Sequence, residues 1–95
     1  MRTIYVTIGN SDDKLTQNEW AHFYASVAGA INMDAHVVHG RWLSASSDPW
    51  QNACWCFEVE ERRVGRLRDR LAKQAQAFRQ DSIAWAEAPT VEFLG

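Results

Sequence analysis

Along this chain the apolar positions switch between a period of two and a period near four, the spacings of strands and of helices. From Arg2 to Ile8 the alternation puts Ile4, Val6 and Ile8 on one face and Thr3, Tyr5 and Thr7 on the other, which predicts a half-buried strand. After the polar loop Gly9 to Lys14, Thr16-Gln-Asn-Glu19 has the form of a capping box. Trp20, Phe23, Val27 and Ile31 then recur at helical spacing, with Gly29 weakening the last turn and Asn32 as the expected stop.

Ala35 to Leu43 reads as a second strand with a bulge at Gly40. Strict alternation places Val38 and Trp42 on one of its faces and His39 and Arg41 on the other. Asp48-Pro49 is a turn opener, because proline fixes its φ and has no N–H to give a ladder. The residues after Asn52 form the strongest strand signal in the chain, with Ala53, Trp55, Phe57 and Val59 turned inward and Cys54, Cys56 and Glu58 outward. Glu60 and Glu61 suit the start of a second helix, whose apolar stripe is Val64, Leu67, Leu71, Ala75 and Phe78, closing at Gln80-Asp81. Ser82 to Glu87 is a fourth strand that buries Ile83 and Trp85. Thr90 to Leu94 alternates again and predicts a short C-terminal fifth strand, at an edge or across a dimer.

The order strand, helix, strand, strand, helix, strand in 95 residues fits one domain, residues 1–95, with the ferredoxin-like β-α-β-β-α-β plait. That α+β fold has a four-stranded antiparallel sheet with both helices on one face. A hydrophobic share of 46% and a charged share of 23% are those of a globular protein, and a formal charge of −2 gives no general pull toward nucleic acid or anionic membrane. No stretch has the length and apolarity of a membrane span, and the N-terminal residues lack the apolar core of a signal peptide. The two cysteines sit two apart on one strand face, poorly placed to bridge each other, and read as thiols. The expected location is the cytoplasm.

The plait brings three loops to one end of the sheet. They carry Asn10, Ser11, Asp12, Asp13 and Lys14, then Asp48, Trp50, Gln51 and Asn52, then Arg79 and Asp81. A small polar ligand or a protein partner would find Trp50 to stack on and Gln51 or Asn52 to orient it. Asp12, Asp13, Asp48 and Asp81 raise the question of a divalent cation, although no metal or cofactor is expected. In length, topology and Asp12-Asp13-Lys14 the chain resembles the small plait-fold nucleases of CRISPR systems. Those enzymes place an acidic residue at the end of the first strand, where this chain has Ile8, Gly9 and Asn10.

A second candidate surface is the open sheet face, expected to show Tyr5, His39, Arg41, Cys54, Cys56 and Glu58. Two such faces packed together would make a homodimer of the dimeric α+β barrel kind. Cofactor-independent monooxygenases and isomerases are similar to this chain in fold class, and Tyr5, His39, Arg41 and Glu58 would then serve acid–base chemistry. Cys54 and Cys56 with His39 supply zinc-type donors, but they lack knuckle spacing and a fourth ligand. A third surface is the stripe Arg62, Arg66 and Arg70 on the second helix, which would contact phosphates in a nucleic-acid-associated protein. The leading expectation is a small binding or regulatory protein, of the kind encoded by phages or mobile elements as inhibitors. It would work through the loop end around Trp50, with a homodimer as its assembly.

Overall fold

A computed structural model describes residues 1–10, 12–45, 48, 50–90 and 92–95. Ser11, the expected turn-former Pro49, Ser46 and Ser47 of the long connection, and Val91 of the tail lie outside the described residues. The elements run β1 (Arg2–Gly9), α1 (Gln17–Asp34), β2 (Ala35–Leu43), β3 (Asn52–Val59), α2 (Glu61–Ala77) and β4 (Ala84–Glu87). The sheet order is β2-β3-β1-β4 with every neighbouring pair antiparallel, which is the expected ferredoxin-like arrangement. Its core joins Ile4, Val6 and Ile8 of β1 and Ala53, Trp55, Phe57 and Val59 of β3 to Phe23, Val27 and Ile31 of α1 and Val64, Leu67 and Leu71 of α2.

Local chemistry sets the helix starts. Thr16 caps α1 with the reciprocal bonds of a capping box: Glu19 N–H donates to Thr16 Oγ1 at 3.2 Å, and Thr16 N–H donates to Glu19 Oε1 at 3.1 Å. The helix does not stop at Asn32. It continues through Asp34 and passes directly into β2, with the Ala35 N–H closing on the Ile31 carbonyl. At the far end of the chain β4 begins at Ala84 rather than Ser82. The described residues of the tail form no fifth strand; the pairing fades after Ala88, whose N–H donates to the Thr3 carbonyl at 2.9 Å.

The main departure from strict alternation is in β2. Its register against β3 slips between Ala35 and Val37 and again between Val38 and Gly40. Each slip inserts one extra residue and reverses the faces of all that follow. Val38 therefore lies opposite Phe57 on the helix side, whereas Trp42 lies opposite Cys54 on the open face. Arg41 lies opposite Trp55, on the helix side, so its expected place beside His39 on the open face is overturned. The bulge expected at Gly40 forms, and the Trp42 indole packs close over it: a Cβ there would meet the ring at 3.1 Å, so the indole would have to shift slightly.

The two helices are joined by charge. Asp34, at the C-terminal end of α1, is buried to 1% exposure. Arg66 donates to Asp34 Oδ1 from Nη2 at 2.6 Å and from Nε at 3.1 Å, and Arg70 Nη1 reaches Oδ2 at 3.3 Å. Arg63 Nη1 donates to the Met33 carbonyl at 3.5 Å. The last turn of α1 has no basic residue of its own, so α2 supplies the positive charge that a helix C-terminus favours.

Candidate functional site

The three loops do meet at one end of the sheet, and Asn10 organises them. It is 4% exposed, so it is not available to a ligand as expected. Its Nδ2 donates to the Leu15 carbonyl at 3.0 Å, and its Oδ1 accepts the Leu15 N–H at 3.0 Å. One amide thus stands in for a strand partner and fixes the loop before α1, while the Asn10 N–H donates to the Gln51 carbonyl at 2.8 Å. Gln51 is tied down as well, by paired amide bonds with Gln17 of 2.7 and 3.2 Å.

Most of the charged residues of this end are also engaged. Lys14 Nζ lies 3.6 Å from Asp12 Oδ2 and 3.4 Å from Asp81 Oδ1, so a cation of the chain already sits between two of the four carboxylates. Asp48 Oδ2 accepts the Ala45 N–H at 3.1 Å and closes its own turn. Asp13 is exposed with φ of 56°. The Asn52 N–H donates to Ser44 Oγ at 3.0 Å. Among the described residues no three His, Cys, Asp or Glu side chains gather as a metal ion requires. Arg79 Nη2 bonds Glu19 Oε2 at 2.6 Å, and together with the Thr16 N–H it holds the Glu19 carboxyl below its usual pKa.

Trp50 is left over. Its side chain is 59% exposed at the rim of a cleft of about 480 Å³. Asp12, Gln51, Asn52, Asp81 and Ser82 line the walls, and Thr7 and Ala84 connect the cleft to the open sheet face.

On that open face Tyr5 lies opposite Cys56, Thr7 opposite Cys54 and Thr3 opposite Glu58. Hydrogen bonding to the Cys56 side chain, more than any other cause, raises the Tyr5 pKa. His39 Nε2 is 3.0 Å from Glu58 Oε2. Arg41 is turned away and donates to the Tyr24 hydroxyl at 3.0 Å, so the expected grouping of Tyr5, His39, Arg41 and Glu58 is not assembled within the chain. Exposed apolar groups occupy the face instead: Trp42 at 56%, Tyr5 at 40% and Val37 at 39%. Sequence reasoning missed Trp42 and Val37 there; carrying the Gly40 bulge through to its effect on the alternation would have found Trp42. Both cysteines are free thiols, with Cys56 buried and Cys54 half-buried.

The basic helix face is committed inside the molecule. Arg62 Nε bonds Glu60 Oε2 at 2.7 Å, which raises the Arg62 pKa and lowers that of Glu60. Arg66 and Arg70 hold Asp34, a residue that the sequence pattern did not mark. The stripe expected to face phosphates is therefore paired with carboxylates of its own chain.

No family model matches this sequence, and comparison with curated proteins finds no match. Among solved structures the chain is similar to the C-terminal domain of the MgtC protein from Mycobacterium tuberculosis, with a TM-score of 0.63 at 9% identity over 93% of this chain and 88% of that one. It is also similar to the NE2512 protein of unknown function from Nitrosomonas europaea, with a TM-score of 0.51 at 15% identity over 99% of this chain and 94% of that one. At such identities the likeness is one of fold.

Proposed function

We propose that this protein is a small binding protein, of the inhibitor or regulator kind, that engages a protein partner through the loop end around Trp50. One observation carries the reading. An indole more than half exposed stands at the rim of a cleft in whose wall Gln51, Asp12 and Asp81 already hold bonds within the chain. A wall ordered before binding loses little side-chain freedom on binding, and a tryptophan at the centre of a contact is a frequent source of affinity. The free thiols of Cys54 and Cys56 support a cytoplasmic location as part of the same reading.

The test is Trp50→Ala. The exposed indole contributes little to the core, so far-UV circular dichroism and the urea midpoint should match the wild type. Binding to a partner captured by the wild-type protein should weaken by roughly thirtyfold or more, the effect of losing a contact of about 2 kcal/mol. A partner that binds the variant as tightly as the wild type refutes the reading.

A further inference from the structure

Two features on this chain are each incomplete, and they complement one another. The first is the outer side of β4. Among the described residues this strand is at the edge of the sheet, pairs with β1 alone, and leaves its other row of backbone donors and acceptors free. Beside it, between α2 and β4, runs a groove of about 380 Å³ with apolar walls from Leu71, Ala72, Ala75, Ile83 and Trp85. Arg68 lies over the Trp85 ring at 5.5 Å and forms its rim. The second is the tail. Phe93 is 95% exposed and Leu94 90% exposed, while the sequence from Thr90 to Leu94 alternates as a strand does.

We propose that the tail of one copy pairs along the free edge of β4 in a second copy, placing Phe93 in the groove beneath α2. In a strand added there, residues two apart share a face. Phe93 would turn toward the groove, and Thr90, Glu92 and Leu94 would extend the open face beside Ala84 and Ala86. Backbone bonds along the edge supply attachment, and the groove selects the side chain, as in other strand-addition contacts.

The tail's own β4 is not its target. A tight two-residue hairpin needs positive φ at its first turn residue. Neither Ala88 nor Pro89 has one; among the described residues only Asp13 and Arg79 do outside glycine. A residue before proline is also held extended, and the proline fixes its own φ. Ala88-Pro89 therefore carries the chain onward instead of back along its own strand. Because every copy has both a tail and a groove, a two-fold arrangement would fill both at once, and the assembly proposed is that reciprocal dimer.

The experiment is sedimentation velocity over a range of concentrations on the wild type, Phe93→Asp, Ala72→Glu and an equimolar mixture of the two variants. Far-UV circular dichroism checks that each is folded. Ala72 is exposed on α2, so the glutamate blocks the groove without entering the core. The wild type should dimerise. Each variant alone should show a dissociation constant raised by roughly a hundredfold to ten-thousandfold, the effect of losing both buried phenylalanines of a reciprocal dimer. The mixture should associate again, because the intact tail of Ala72→Glu meets the intact groove of Phe93→Asp. A monomeric wild type overturns the proposal, as does a dimer that persists unchanged in both variants and so belongs to the open face. Two monomeric variants that fail to associate when mixed also overturn it.

Discussion

Replacing Asp34 and replacing the arginines that hold it should have unequal effects on stability. The Asp34 side chain is 1% exposed, whereas those of Arg66 and Arg70 are 54% and 33% exposed. Without Asp34 the guanidinium groups can turn into water. The loss is then about 1.5–3 kcal/mol of charge-assisted hydrogen bonding. It is offset because a carboxylate no longer has to be desolvated, and because about 0.3–1 kcal/mol of repulsion at the negative end of the helix dipole is relieved. Asp34→Ala should therefore cost about 0–2 kcal/mol. Without the arginines the carboxylate stays buried and unpaired, the case in which breaking an ion pair costs about 3–5 kcal/mol. Methionine keeps most of the arginine stem and its packing, so Arg66→Met with Arg70→Met isolates the charge.

Urea unfolding followed by tryptophan fluorescence, at unchanged m-value, measures both variants on one scale. Melting temperatures should separate them by about 4–8 °C for each kcal/mol in a chain of this size. Adding Asp34→Ala to the double methionine variant should restore most of the lost stability, because it removes the stranded charge. The reasoning is refuted if Asp34→Ala is as destabilising as the double methionine variant, or if the triple variant is no more stable than the double.

Two further outcomes follow from the loop end. Asn10→Ala strands the buried N–H and C=O of Leu15 and should lower stability by about 2–4 kcal/mol, read from the urea midpoint; a change below about 1 kcal/mol would mean the loop holds without its amide. The Glu19 carboxyl is held below its ordinary 4.5 by the Arg79 hydrogen bond and then by the Thr16 N–H. Its folded pKa is lowered, so its contribution is complete above the unfolded value and disappears as pH falls through the folded one. NMR titration should place the Glu19 midpoint below that of the same residue in Arg79→Gln, and equal midpoints would refute the assignment.

The alternation of β1 and β3 and the stripes of both helices were legible because burial on one face fixes those periods. Ile4, Val6, Ile8, Phe23, Val27, Leu67 and Leu71 are all buried as their spacing requires. The Thr16 capping box was legible because both its bonds are local. What was not legible depends on register or on distance. The face of Arg41 depends on whether one residue of β2 is paired or bulged, and the flanking residues read the same in either case. The pairing of Asp34 with Arg66 spans 32 positions, and nothing near Asp34 distinguishes it from a solvated residue at a helix end. The arginine stripe was visible, but a count of charges on one helix does not show which acid on another helix meets them.

The same comparison separates what the fold has satisfied from what it has left open. The expected topology suggested ligand- or partner-binding groups at Asn10, Asp12 and Lys14, and helical spacing suggested phosphate-binding ones at Arg62, Arg66 and Arg70. Each of these closes a bond within the chain: to a backbone, to a neighbouring carboxylate, or to the buried Asp34. Large apolar groups remain exposed beside them, among them Trp50 at the cleft, Trp42 and Tyr5 on the sheet, and Phe93 and Leu94 on the tail. Exposed aromatic and aliphatic surface of this kind lowers its free energy by burial, a driving force that does not depend on charge. Association through these groups should therefore depend weakly on salt. Contact through the arginine helix with a polyanion would instead weaken steeply as salt rises. The salt dependence of any partner's affinity thus separates the two kinds of surface before a single residue is changed.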